Sequence, residues 1–333
     1  MTSYSKEAIL ALINKSSGRP NFLDFLPPER YVKGLAIGSR EQAIEKALNL
    51  NDLNSIVGVQ GLPPFQVLRD VLDELSDLNA LPILEGTGIE LGAGLALLSI
   101  AFLERDLNRE IKGIVALEAV KPFVEKGIQK AGAQILGERS CCLLPCYGIF
   151  EEIPVEDQTF DFALQIESLH HAENLDNAVR ELSRILKKGG VIVSFDRSWE
   201  NSTRPEVLEE LLDHEYSKDW LKTKHFAHEK KFTRRDNGEH EYTDNDWIQT
   251  FKKHDLSLIK LVHLHPKVET WHVKKRIASL LHISRLLGIK INSRPGVIRG
   301  WIGQKIGKGS RIHSNLLVSP HPRPLTMFVF KRG

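Results

Sequence analysis

Ile89-Glu90-Leu91-Gly92-Ala93-Gly94-Leu95-Ala96 reads as a strand that runs into a helix through a glycine turn. Glycine at 92 and 94 removes the Cβ atoms that would hold a ligand away from the backbone, so the turn marks a ligand site at the carboxyl end of a strand. Ala96 stands where a strict dinucleotide fingerprint would carry its third glycine; it meets the packing requirement without supplying that residue. The next apolar run, Ile114-Val115-Ala116-Leu117, ends in Glu118, a carboxylate suited to accept both hydroxyl hydrogens of a ribose. The turn contains no Lys or Arg, so a diphosphate would meet only helix amides there. A cationic adenosyl group suits the paired acids Glu90 and Glu118 better.

Outward from this stretch, short apolar runs alternate with helical ones. The pattern predicts helices over about 95–105 and 121–131, strands near 143–148 and at 160–166, a helix over 175–187, a turn at Lys188-Gly189-Gly190 and a strand at 191–195. Such alternation specifies an α/β fold, a doubly wound, mostly parallel seven-stranded sheet of Rossmann-like type. Before it, helical signals at 4–16, 40–49 and 65–77 make residues 1–80 a helical annex to a core at 81–200. After it, residues 201–255 form a substrate-side helical segment, with helices at 205–215, 218–227 and Tyr242–Lys253. Residues 256–333 supply the last two strands, Leu256–Leu264 and Leu325–Phe330, separated by a basic insertion at 267–323.

Charge is distributed unevenly. The 333 residues carry 45 basic and 43 acidic side chains, a net charge of +2 that gives no support to a wholesale nucleic-acid binder. Segment 267–323, however, holds 12 basic residues against one acidic. A hydrophobic share of 41% with 26% charged residues excludes a disordered polymer and a collagen-like repeat. Cys141, Cys142 and Cys146 lie too close together for a secreted disulfide framework, and no nearby Cys or His completes a metal spacing, so a cytosolic, metal-free protein is expected. The start MTSYSKEAIL lacks the apolar run of a leader, and no stretch of 18 apolar residues occurs; neither export nor membrane spanning is expected.

The glycine turn, Leu117-Glu118, and the stretch from Glu151 to Arg197, with its Ile-Pro, its Phe-Asp opening a strand, its His-His and its Leu-Lys-Lys-Gly-Gly turn, occur in an order that resembles the class I S-adenosylmethionine-dependent methyltransferases. The branch acting on quinones, tocopherols and natural products is the most similar, and the resemblance covers about residues 84–200. It implies S-adenosyl-L-methionine as cofactor, with Glu90 near its amino-acid end, Gly92 and Gly94 giving close backbone passage, and Glu118 on the ribose. It implies that the Phe150 amide meets the adenine ring, with Ile149 in the place of the usual acid, and that Gln165 touches the cofactor while Glu167 and His170 face the acceptor.

Methyl transfer needs an attacking lone pair held in line with the methyl group, so positioning and electrostatics carry most of it. An oxygen nucleophile must also lose a proton, for which His170 is the expected base, with Glu167 beside it. The acceptor is expected to be a small molecule with a hydroxyl or carbon nucleophile and mixed apolar and anionic character. Residues 271–287 place Val273, Ile277, Leu280, Leu281, Ile283 and Leu287 on one arc of a helical wheel and Lys274, Lys275, His282 and Arg285 opposite. That helix suits a cap over the pocket, the favoured reading, or a peripheral contact with acidic lipid. Two other readings stand beside the small-molecule one: RNA methylation, disfavoured because only Trp271 and Trp301 interleave the cations, and a non-catalytic partner-binding protein on this scaffold.

Overall fold

The computed structural model describes residues 3–13, 22–25, 65–218, 221, 231–266, 311–314 and 325–333. The expected helices at 40–49 and 271–287, most of that at 218–227, and the basic insertion apart from 311–314 lie outside these residues. The strands are β1 (Leu23–Asp24), β2 (Gly86–Leu91), β3 (Ile111–Glu118), β4 (Leu143–Tyr147), β5 (Phe160–Ile166), β6 (Leu186–Arg197), β7 (Leu256–Pro266), β8 (Arg311–Ser314) and β9 (Leu325–Arg332). They form one sheet in the order β1-β4-β3-β2-β5-β6-β9-β7-β8. Only β9 runs against its neighbours, β6 and β7. The expected seven strands are the centre of this sheet, and two short ones extend it: β1 beside β4, and β8 beside β7 from within the basic insertion.

Helices α1 (Lys6–Ile13), α2 (Phe65–Asp77), α3 (Leu97–Arg105), α4 (Ile128–Leu136), α5 (Leu175–Ile185), α6 (Pro205–Leu212) and α7 (Asp244–Lys253) complete the described fold. The period-2 alternation of the strands separates two cores. One joins Leu68, Leu72, Ile100 and Ile128 of α2, α3 and α4 to Ile114, Leu164 and Phe195. The other joins Ile9, Val179, Leu182, Trp247 and Phe251 of α1, α5 and α7 to Ile89, Val115 and Phe328. Burying both faces is what a parallel sheet with crossover helices requires.

Three local departures have physical reasons. The region 121–131 begins with a π-helical turn over Phe123–Gly127 before α4 takes over. The Lys188-Gly189-Gly190 turn lies inside β6 as a bulge: the register of β5 on β6 jumps between Phe160 and Phe162, and a Cβ on Gly190 would lie 2.9 Å from the Asp161 carbonyl oxygen. The helix after the glycine turn starts at Leu97, because Ala96 takes a left-handed conformation at φ 57° that ordinarily favours glycine.

The chain passes from β2 outward to β3 and β4, then crosses back to β5 on the other side of β2. Such a reversal is where sheets of this kind usually hold a ligand, in a crevice at the carboxyl ends of the two strands, here β2 and β5. Helix α7 braces the neighbouring end of β6. It begins with a capping box between Thr243 and Asp246, and its fully buried Trp247 donates from the indole to the Arg197 carbonyl at 3.0 Å. Trp247→Ala should therefore lower unfolding stability by about 3–5 kcal/mol, read as a drop in the urea midpoint; a loss within about 0.5 kcal/mol, the level of an ordinary surface substitution, would contradict this packing.

Candidate cofactor and acceptor site

Glu90 lies on the β2 face that carries α3 and is completely buried. Its Oε2 accepts the Ser99 amide at 3.0 Å and the Ser99 hydroxyl, both from the first turn of α3. Its Oε1 is buried with no partner. Burial pushes the Glu90 carboxyl up to about 7, against the pull of the Ser99 bonds, and the nearby Glu118 adds to the rise. A buried carboxylate with one idle oxygen is matched by a cationic group, which would restore its ionised form.

Glu118 ends β3 beside the glycine turn. Its Oε2 accepts the Gly94 amide at 2.7 Å and its Oε1 accepts the Val120 amide at 2.8 Å. These bonds orient the acid beside the glycine turn. Gly92 and Gly94 both have positive φ, 59° and 54°. A Cβ on Gly92 would lie 2.4 Å from the Ser168 Cβ and 3.3 Å from the Phe150 ring, so this glycine is required by close approach as well as by conformation. Phe150 is thereby placed against the turn.

Gln165 is buried, and its polar atoms serve the protein itself: Nε2 donates to the Ser194 hydroxyl, and Oε1 accepts the Ser168 amide at 3.2 Å. Ser168, which the sequence reading did not single out, puts its hydroxyl 2.8 Å from the Leu91 carbonyl and so ties the β5 loop to the glycine turn. These bonds hold the strand ends on either side of the crevice at a set distance.

Past β5 the backbone of Glu167 is left-handed, φ 47°, and its amide donates to the Phe195 carbonyl at 2.7 Å. A non-glycine residue held there is strained, a feature concentrated at functional sites. The Glu167 side chain is 28% exposed, with Oε1 3.5 Å from Arg197 Nε. Burial raises its pKa, partly offset by Arg197.

His170 differs from the expectation of a base. Its ring is buried, with Nδ1 2.7 Å from Asp196 Oδ1 and Nε2 in contact with an Arg197 Nη2. A carboxylate accepts on one side and a guanidinium can only donate on the other, so the ring is neutral, protonated on Nδ1, with its Nε2 lone pair engaged. Burial, then the Arg197 charge, hold its pKa well below the ordinary histidine value. The ring therefore has no lone pair directed at an acceptor.

Around Arg197 lies a cluster that the sequence did not reveal. Arg197 Nη1 donates to Glu239 Oε2 at 2.7 Å, and Arg234 Nη2 lies 2.6 Å from the same oxygen and 2.5 Å from Glu241 Oε1. Glu239 also accepts from Asn237 at 2.7 Å and from the Tyr216 hydroxyl, while Glu241 accepts from the Trp199 indole at 2.7 Å. Burial alone would raise Glu239, but Arg197 and Arg234 outweigh it and hold the carboxyl well below the usual range. Among the described residues no group of three or more His, Cys, Asp or Glu is placed to hold a metal, and no helix is long and apolar enough to cross a membrane.

Residues 89–194 match a family described as a methyltransferase domain. That match runs from β2 into β6 and takes in the glycine turn, Glu118, Glu167 and His170. Short stretches are similar to a sterol 4-C-methyltransferase of Caenorhabditis elegans, 44% identical over 46 residues covering 14% of each chain. Another is similar to 24-methylenesterol C-methyltransferase 2 of Arabidopsis thaliana, 37% identical over 68 residues, covering 20% of this chain and 17% of that one. The chain spans less than half the length of the curated relatives it matches. Among solved structures, geranyl diphosphate methyltransferase in complex with GPP and sinefungin is 12% identical with a TM-score of 0.48, over 79% of this chain and 78% of that one.

The raised Glu90 carboxyl makes the stability of the fold depend on pH. A buried acid whose pKa is higher in the folded than in the unfolded chain favours folding below the unfolded value and loses that contribution as pH rises toward about 7. Glu90→Gln should remove that dependence. Between pH 4.5 and 7.5, denaturant unfolding of the wild type should lose about 3 kcal/mol more than the variant does. Parallel curves would show that Glu90 is not held protonated.

Proposed function

We propose that this protein transfers the methyl group of S-adenosyl-L-methionine to a small, lipid-like acceptor by in-line displacement. The observation that carries the reading is the pair of strand-end acids: Glu90 with a buried, unpartnered oxygen and Glu118 braced on the glycine turn, 24 residues after Gly94. When bound, the cofactor supplies an electrophilic methyl on a sulfonium. Glu90 would pair with the ammonium of its amino-acid end, Glu118 would accept the ribose hydroxyls, and Phe150 would pack beside the adenine. Gly92 and Gly94 would let the backbone approach, and Gln165 would keep the two strand ends apart.

On the acceptor side, Glu167 is the carboxylate with access to a ligand. For a hydroxyl acceptor, an oxygen–carbon bond forms as the sulfur–carbon bond breaks, and the hydroxyl proton passes to Glu167. His170, engaged by Asp196 and Arg197, has the positioning role. The names of the two sterol methyltransferases support an apolar acceptor. The basic stretch 267–323 supplies charge for an anionic part of that acceptor, or for the acidic lipid surface from which a cytosolic enzyme would draw it.

Calorimetric titration with S-adenosylmethionine tests the cofactor side. The wild type should bind, and Glu118→Ala should weaken binding about 10–100-fold, the loss of charge-assisted hydrogen bonds. Transfer of labelled methyl from the cofactor into a total lipid extract tests the acceptor class. No binding by the wild type, or label found only in RNA, would contradict the proposal.

A further inference from the structure

Arg197 leaves the carboxyl end of β6 with its side chain only 11% exposed, and its guanidinium meets groups from three directions. Nη1 is fixed on Glu239, Nη2 on the His170 ring, and Nε faces Glu167 at 3.5 Å. The first two partners are themselves immobilised. Glu239 is gripped by Arg234, Asn237 and Tyr216, and His170 by Asp196 on its far side. The third partner is different. Glu167 is 28% exposed, whereas the side chains of Asp196, Glu239 and Glu241 are exposed by 0%, 3% and 1%. Of these acids, Glu167 is the one that a ligand can reach.

We propose that Arg197 is a positioning residue for the transfer reaction: clamped by Glu239 and His170, it presents its remaining edge to Glu167 and aims that carboxylate at the acceptor. The assignment rests on the acceptor reading given above, and it gives His170 a role that the sequence alone did not suggest, as an anchor for a guanidinium. It also explains why an arginine stands here. A planar fork with donors on several edges can hold an imidazole, a buried carboxylate and an exposed one at once, whereas the ammonium of a lysine is a single point of charge. Glu239 comes from a segment 42 residues beyond Arg197, so the alignment of the acceptor wall depends on the 231–243 segment docking against β6. That docking is reinforced by backbone bonds from His240 N to the His170 carbonyl, 2.9 Å, and from Trp199 N to the Tyr242 carbonyl, 2.9 Å.

The groups acting on Glu167 are Arg197 and Asp196 from β6 and Glu239 and Arg234 from the 231–243 segment, the two arginines favouring its ionised form and the two acids opposing it. The test is a carbon-13 NMR titration of the Glu167 carboxyl in the full chain, assigned by its disappearance in Glu167→Gln. Arg197→Gln should raise the Glu167 midpoint by about one unit or more, the usual effect of losing an adjacent opposite charge. Should that variant fail to fold, Arg197→Lys should still raise the midpoint, by less, because it keeps the charge but cannot span the three partners. His170→Gln, whose amide can accept from Arg197 and donate to Asp196, should leave the midpoint near the wild-type value.

An unmoved Glu167 midpoint in the arginine variant that folds overturns the proposal. A Glu167 midpoint that moves as far in His170→Gln as in the arginine variant also overturns it, because the imidazole and not the guanidinium would then set the carboxylate. The free-chain titration does not require S-adenosylmethionine, so a chain showing these shifts but failing to bind the cofactor would refute the functional reading and leave the Arg197–Glu167 coupling intact.

Discussion

The ends of parallel strands lack the hairpin bonds that close an antiparallel sheet, so the loops there must find other partners for their amides. Here two carboxylates meet that need. Glu90 takes the Ser99 amide and hydroxyl at the first turn of α3, and Glu118 takes the amides of Gly94 and Val120. The crevice depends on these four bonds. They hold the glycine turn open in left-handed conformation, begin α3 at the right place, and leave carboxylate oxygens at the position where a ligand enters the sheet.

The two halves of the crevice differ electrostatically. At the β2 and β3 ends, among the described residues, no arginine or lysine pairs with Glu90, and its burial produces a carboxyl balanced between protonated and ionised forms near neutrality. At the β5 and β6 ends the acids are interleaved with Arg197 and Arg234, and Asp196 rises only to about 6. One end therefore favours an incoming positive charge, while the other holds its charges among themselves and, of the acids Asp196, Glu239, Glu241 and Glu167, exposes Glu167. Such an arrangement suits a cationic methyl donor met by an acceptor that brings a hydrogen-bond donor to the reaction.

How much of this was legible depended on the range of the interaction. Phe160–Ile166 and Phe65–Asp77 occur where the apolar periodicity places them, because burial of one strand face or one helix stripe is a local pattern. Glu90 and Glu118 were legible because strand ends are marked by glycine or by the close of an apolar run. Gly189 and Gly190 carry the same signal whether they make a turn or a bulge, and only pairing with β5 decides between them. The two-residue strand β1 has no periodicity to read. Arg234, Glu239 and Glu241 lie in the polar run Lys231–Asp246, which reads as solvent-exposed. Their burial comes from ion pairs with one another and, through Glu239, with Arg197 of β6, and no spacing within the run announces that last partner, so far away in sequence.

The account turns on a positively charged adenosyl cofactor arriving beside the half-protonated Glu90. Titration calorimetry of the wild type with S-adenosylmethionine at pH 7, repeated in buffers of different ionisation enthalpy, measures the protons exchanged on binding. Release of about half a proton is the predicted result, abolished by Glu90→Gln, since the cation should draw the carboxyl fully into its ionised form. Binding without proton release, or release that survives in the variant, would contradict the placement of the cofactor at these strand ends.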